Sequence, residues 1–507
     1  MLNNIINKLK NISKLYISTL LPALIICLYP GIHVSVTGLD AAIAGNLPEI
    51  LNKPLIEIQL PDLPENDGSG GLIAYDLDGD GTKDFIVTGP GKIIAAKTDG
   101  TILWAHDVDI QVTRQSEKNG LPGSHAPGVQ TGDVMNNGAV EVLFLTRSGK
   151  LHILRGVDGK KLHRIPIKAP GEAERWEHLV IGNFRGKGDF DILLQATNAE
   201  GYRMGRFVAA YAIEDLINNE KPLPLWRRDD FHAAAHNGAR IADLNGDGKD
   251  EIIGASILSP EGEKVYEVPV RGHLDGIYIA NVQPDRPGLE VIALEEGGPY
   301  RLLGLDNALA NWVNRRYADL GGAGNRTFAY DMDGLIWASH HKQIEPQNAA
   351  VGKFKPDTDE VQIWLRSRFN LDQKPYLFDA NGMLITSYEL MDLAPSDWTR
   401  SGLEVIVPIH WSGTGQQFIA AKARHESGDV AIVDAITGEF KVRIPESADR
   451  LYVADVLNDW REEIIVLSGN MLRVYGNPAK NPNPDQPSLW LQQHYQRVKQ
   501  TWNYYSP

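Results

Sequence analysis

Two short segments carry residue types that hold hard cations. Asp76, Asp78, Asp80, Gly81 and Asp84 form D-x-D-x-D-G-x-x-D, and Asp243, Asn245, Asp247, Gly248 and Glu251 repeat the spacing. Oxygen ligands at alternate positions can wrap a calcium ion while the glycine lets the chain turn. Carboxylates this close repel one another unless something neutralises them. The expectation is Ca2+ held structurally by Asp76, Asp78, Asp80, Asp84, Asp243, Asn245, Asp247 and Glu251, with metal-free acidic turns as the alternative. A second set of residues can hold or move protons. His125, His178, His236 and His273 each stand just ahead of an apolar strand pattern. His232 and His236 with Asn237, and His273 with Asp275, also flank small residues that leave room for a ligand. Imidazole, with its ordinary pKa near ~6.5, can act as a base at neutral pH. Arg326 could clamp a carboxylate bidentately; an inter-repeat salt bridge is its structural alternative. Lone histidines such as His125 and His178 more often satisfy a turn.

Positioning these groups requires a repeat. The stretch Ala74–Val87, AYDLDGDGTKDFIV, recurs as ADLNGDGKDEII over Ala242–Ile253, and more weakly as TGDVMNNGAVEVLFL, IGNFRGKGDFDILLQ, IANVQPDRPGLEVIAL, VGKFKPDTDEVQIWL and VADVLNDWREEIIVL. Each copy is an apolar strand, an acidic glycine-bearing loop and a second apolar strand. Later in several copies come tight turns at Asp99-Gly100, Asp158-Gly159, Asn381-Gly382 and Thr437-Gly438, which are hairpin signals. A four-stranded meander repeated at this interval is a propeller blade. The fold expected is an all-β propeller with FG-GAP-like calcium loops and eight blades, seven being the alternative count. The ring should span residues 68–478, after an extended lead-in over 45–67 and before a C-terminal segment, 479–507, packed on the ring. The stretches TFAYDMDGLIWAS and MDLAPSDWTRSGLEVIVP could each open a blade or be an insertion. Several loops are degraded as metal sites: Met135 and Leu457 stand at third ligand positions, and Lys187 could replace an ion with its ammonium.

Composition agrees with this reading. The chain has 507 residues, 49 of them glycine and 29 proline, 43% hydrophobic and 23% charged, as expected of turn-rich β-structure rather than disorder. A formal charge of -15 argues against a nucleic-acid partner, which needs a basic face. Residues 1–44 read as a signal peptide or signal anchor: lysines at 8, 10 and 14 precede an apolar run from Leu15 to Val36 that contains the only cysteine, Cys27. The expected location is therefore secreted, periplasmic or cell-surface, and the chain is expected to be a monomer.

Three longer segments narrow the function. Arg271-Gly272-His273-Leu274-Asp275-Gly276 with NVQPDRPGLEV, Asn325-Arg326-Thr327, and ADVLNDWREEIIV with the closing HYQRVKQTWNYYSP resemble the rhamnogalacturonan lyases of polysaccharide-lyase family eleven and related secreted propeller lyases. The resemblance implies an eight-bladed propeller, Ca2+ and β-elimination at a uronic acid of an acidic polysaccharide. It departs from the family in two places. Glu295-Glu296 stands where His-Glu is usual, and Pro445-Glu446-Ser447 replaces Gly-Thr-Lys, with Arg450 the nearest base. An ulvan-lyase-type enzyme is thus an alternative within the lyases. For such an enzyme the catalytic candidates are His236, His273 and Arg326, and the substrate-binding candidates Asn237 and Asp275. A non-catalytic, calcium-stabilised carbohydrate-binding or adhesion propeller is the competing class. A hydrolase would want two positioned carboxylates, of which Asp275 could be one. Tyr300, Arg301, Trp312, Tyr317 and Trp411 could stack on sugars, although aromatic residues in blades more often pack.

Overall fold

The computed structural model describes residues 47–63, 71–89, 91–110, 128–173, 175–199, 203–296, 326–339, 346–356, 358–367, 375–386, 388–398, 403, 405–423 and 427–501. The signal or anchor segment with Cys27, and His125, Tyr300, Arg301, Trp312, Tyr317 and Asn325, lie outside these residues. The strands form eight sheets of four antiparallel neighbours, one of them with a fifth, parallel strand at its edge, each built almost entirely from consecutive strands. In every blade the first strand is innermost, and a loop that is acidic in most blades joins it to the second. Alternation along these strands buries both faces, as it must where a sheet is sandwiched between two others. Eight apolar clusters result, each shared by two adjacent blades. One of them joins Tyr452 and Ile465 of the last blade to Leu72 and Phe85 of the first, which closes the ring.

The lead-in turns out to belong to the ring. Ile56–Gln59 is the outer strand of the last blade, paired antiparallel with Met471–Tyr475, and Glu49–Ile50 adds in parallel to the edge of the seventh. Recruiting the N-terminal strand lets the eighth sheet reach four strands and ties both ends of the propeller together. TFAYDMDGLIWAS also moves. It forms the third and fourth strands of the fifth blade, Thr327–Asp331 and Gly334–Ala338, instead of opening a new one. Its acidic D-M-D-G is a hairpin turn in which Asp331 Oδ1 accepts the Asp333 and Gly334 N–H groups. The stretch ending in GLEVIVP does lead into an inner strand, Val405–Ile409.

Blades are latched by a recurring contact. The indole N–H of Trp104, Trp226 and Trp337, and the hydroxyl of Tyr388, donate to Gly156, Pro260, Ala380 and Ala435 carbonyls at 2.6, 2.7, 2.9 and 3.1 Å. Each aromatic ring comes from the outer part of one blade and covers the hairpin turn of the next. A Cβ at the turn glycines Gly159, Gly262, Gly382 and Gly438 would fall 2.5–2.6 Å from these rings, so glycine at these four turns is required for docking as well as for turning. Trp104→Ala is expected to cost about 3–5 kcal/mol, and Trp104→Phe only about 1 kcal/mol for the lost hydrogen bond. Equal losses in the two variants by denaturant unfolding would contradict the latch.

The C-terminal segment packs into the ring axis. Ser488 and the Leu489 N–H bind Asp455 Oδ2 at 2.8 and 2.9 Å, and the helix Gln493–Gln500 then reaches inner strands and acidic loops around the whole ring. Arg497 pairs with Asp189 and Asp250, Lys499 with Glu462, and the His494 ring with the Ile279 carbonyl. Gln130 donates to the Gln500 carbonyl. The helix thereby plugs the acidic-loop mouth of the channel.

Candidate functional site

At the opposite mouth, the segments entering the fourth and fifth blades converge. His236 and Asn237 lie in the connection leading to the inner strand Arg240–Ala242, and His273 begins the inner strand His273–Ala280. The connection is held rigidly: the Ala235 N–H donates to Leu274 O at 2.8 Å, and the Met204 N–H to Ala235 O at 3.1 Å. Asn237 is fully buried. Its amide donates to Asp275 O at 2.7 Å and accepts from the Ile277 N–H at 3.4 Å. It therefore positions the histidine segment, which corrects its expected role as a direct substrate contact.

A register shift between Leu274 and Gly276 places a bulge at Asp275, and bulges re-aim side chains. His273 and Asp275, two positions apart, face the same side. Oδ1 of Asp275 lies 2.9 Å from His273 Nε2 and 3.7 Å from His236 Nε2, and the imidazole rings are 6.2 Å apart. A fourth group joins them. Glu296 ends the second strand of the blade directly opposite His273, and its Oε2 is 3.3 Å from the same Nε2. Sequence reasoning noted the Glu295-Glu296 pair without assigning either residue to the site. The signal available was register, because the residue paired with a strand's first position shares its face.

Burial and charge make this cluster demanding. Burial raises Asp275 to about 6, with the nearby Glu296 charge acting in the same direction. Burial also pushes His273 down, but its hydrogen bonds to Asp275 and Glu296 overcome that and leave it above the ordinary imidazole value. Its Nε2 faces two carboxylates, which fix the orientation and tautomer of the ring and leave Nδ1 as its other nitrogen. The Asp275 side chain is only 4% exposed, and ligand atoms of His236, His273 and Asp275 lie within 4.8 Å of one another. Two imidazoles and two carboxylates gathered in one buried place suit a divalent cation.

Arg326 stands elsewhere. It precedes the third strand of the fifth blade rather than an inner strand, and its Nε donates to Glu295 Oε2 at 2.8 Å within that blade. Glu295 and Glu296 point to opposite sheet faces, so Arg326 is separated from the histidines and already neutralised. Its expected role as a carboxylate clamp beside them is corrected to a salt bridge. Arg450, nearest the replaced Gly-Thr-Lys, is also engaged, donating to Gly71 and Thr88 carbonyls at 3.0 and 2.7 Å where the ring closes. His178 is buried against Ala239 O at 2.6 Å, a structural role.

The acidic loops differ from one another. In the first, Asp76, Asp78 and Asp84 have ligand atoms within 4.8 Å, but Lys97 Nζ sits 2.5 Å from both Asp78 and Asp80 and holds Asp80 well below the usual carboxylate range. Burial raises Asp84 to about 7. In the second, Asp243 accepts the Gly246, Asp247 and Gly248 N–H groups, and Glu251, raised to about 7 by burial, accepts the Leu244 N–H at 2.8 Å. In the third repeat Arg185, rather than Lys187, reaches the closing carboxylate, Asp191, at 2.6 Å.

The C-terminal-domain model of rhamnogalacturonan lyase family 11 matches residues 201–502, a span that contains both the histidine cluster and the plug helix. Among curated proteins, the chain is 23% identical over 487 residues to the rhamnogalacturonan exolyase YesX of Bacillus subtilis, covering 81% of this chain and 70% of that one. It is 26% identical over 368 residues to the rhamnogalacturonan endolyase YesW of the same organism, covering 59% of this chain and 55% of YesW, so it spans little more than half that relative's length. A solved Bacillus licheniformis rhamnogalacturonan lyase superposes with a TM-score of 0.59 at 18% identity, over 89% of this chain and 80% of that one, which is a likeness of fold. With more than half of its residues matched, the chain belongs to rhamnogalacturonan lyase family 11.

Proposed function

We propose that this polysaccharide lyase acts on rhamnogalacturonan or a closely similar rhamnose–uronate polymer, by β-elimination at the mouth bearing His236, His273, Asp275 and Glu296. The observation that carries the reading is the convergence of two imidazoles and two buried carboxylates, which an adhesion propeller has no need of. Those four side chains would hold a divalent cation, and Asn237 would fix the segment that delivers His236. Such a cation supplies the positive charge that neutralises a uronate carboxylate and acidifies the neighbouring C–H. His273 and Asp275 keep the donor atoms aligned through the bulge. The test is incubation of the purified protein with a panel of uronate polysaccharides while following ultraviolet absorbance from unsaturated ends. No absorbance from any of them would refute the reading.

The acidic loops 76–84 and 243–251 are proposed as structural Ca2+ sites, the second being free of the lysine that bridges Asp78 and Asp80 in the first. Chelation is expected to lower the melting temperature by removing a ligand of the native state. An unchanged melting curve with no metal by elemental analysis would count against both. Export is proposed from the apolar run 15–36; among the described residues no helix is long and apolar enough to cross a membrane.

A further inference from the structure

Beside His273 lies an open cleft of about 370 Å³ whose walls include Arg203, Arg206, Phe207, His232 and Glu172. Its form follows from one irregularity. The register between the second and third strands of the third blade shifts between Gln195 and Thr197, bulging the chain at Gly205–Phe207, and the Gln195 amide fastens the bulge by donating to Gly205 O at 2.8 Å. A Cβ on Gly205 would lie 2.4 Å from Thr197 O, so only glycine lets the strands approach this closely. The bulge lets consecutive residues, Arg206 and Phe207, both line the cleft, with the Arg206 guanidinium 5.1 Å from the Phe207 ring centre.

In a chain of net charge -15, this wall carries two arginines against one carboxylate among the described residues. Arg206 pairs with that carboxylate, Glu172, at 3.1 Å, but both side chains are more than half exposed, so the pair is screened and easily exchanged. A guanidinium beside an aromatic face is what a charged sugar ring needs: a bidentate partner for the carboxylate and an apolar surface for the ring.

We propose that this cleft is a second uronate subsite, in which Arg206, with Arg203 beside it, takes the carboxylate of the next uronate along the polymer from the one at the histidine cluster, Phe207 supports that sugar's ring, and Glu172 competes for Arg206 in the empty site. The inference rests on the lyase reading above and sets how far the polymer is gripped beyond the reacting unit.

The test compares steady-state kinetics of wild type, Arg206→Ala and Glu172→Gln on a rhamnogalacturonan polymer and on the shortest oligosaccharide that is cleaved. Arg206→Ala should raise KM on the polymer about tenfold, the effect of one lost charge-assisted contact, with kcat changed less than about twofold, as lost uniform binding requires. Glu172→Gln should lower KM, because its competitor charge is gone, and the short substrate should distinguish the variants least. A structural role for the pair would move both variants in the same direction. Unchanged KM in both, with wild type active, overturns the subsite and leaves the lyase reading standing. If wild type forms no unsaturated ends, the lyase reading fails by itself. Calorimetric titration with polygalacturonate then still decides the cleft, with equal affinity of wild type and Arg206→Ala overturning it.

Discussion

Replacing His273 by alanine, or Asp275 by asparagine, will cut the rate of unsaturated-end formation by about 10²–10³-fold and will remove bound divalent cation at the same time. The pairing of the two losses is the informative part. If His273 were a general base, its removal would abolish turnover while metal content stayed constant. The cation reading predicts otherwise, because Nε2 of His273 lies 2.9 Å from Asp275 and 3.3 Å from Glu296, the position of a ligand atom beside two carboxylates. Asp275→Asn preserves shape and removes one charge from a site where burial already lifts the carboxyl to about 6. It should therefore fold normally and bind cation poorly. Glu296→Gln should behave in the same way. Elemental analysis beside the absorbance assay separates the outcomes: full activity in Asp275→Asn would remove the cluster from the reaction, and inactivity with cation retained would restore the base reading.

Part of this cluster could be read directly from the chain. His236, His273 and Asp275 stand at the starts of adjacent repeats, and a propeller brings such starts together at one mouth, so identifying the repeat was enough to place them. Glu296 depended on cross-strand register through a bulge at Asp275, a packing property with no local sequence mark. Arg326 was misplaced because D-M-D-G over Asp331–Gly334 imitates an acidic loop, while 297–325 separates it from the strand it follows. The ring itself was legible from the repeated strand–acidic loop–strand unit. Its closure was not, because Ile56–Gln59 pairs with residues more than four hundred positions away and the surrounding prolines read as an extended connection. The blade latches were hidden for a related reason: Trp104 and Gly159 are both conspicuous, but only the assembled ring puts one against the other.

The plug helix should dominate stability at the acidic-loop mouth, and Arg497→Met is expected to cost about 3–5 kcal/mol. Arg497 is 8% exposed and reaches Asp189 at 2.5 Å and Asp250 at 2.8 Å, so one guanidinium joins the helix to loops of the third and fourth blades. Removing it leaves Asp250, itself nearly inaccessible, as a buried charge without its cation. Breaking one side of such a pair is costly because the remaining charge keeps its desolvation penalty. The pH dependence follows with a definite sign. Burial raises the Asp250 pKa, and Arg497 opposes that shift; without Arg497 the folded-state value climbs further. A carboxyl whose folded pKa exceeds its unfolded one binds more protons when folded, so its ionisation destabilises the fold as pH rises. The penalty of Arg497→Met should therefore be largest at neutral pH and shrink as acid protonates Asp250. Arg497→Met combined with Asp250→Asn should recover a large share of the lost stability. Denaturant unfolding at neutral and acidic pH measures both effects. A penalty independent of pH, together with no recovery in the double variant, would show that the helix is held by its apolar contacts and not by this pair.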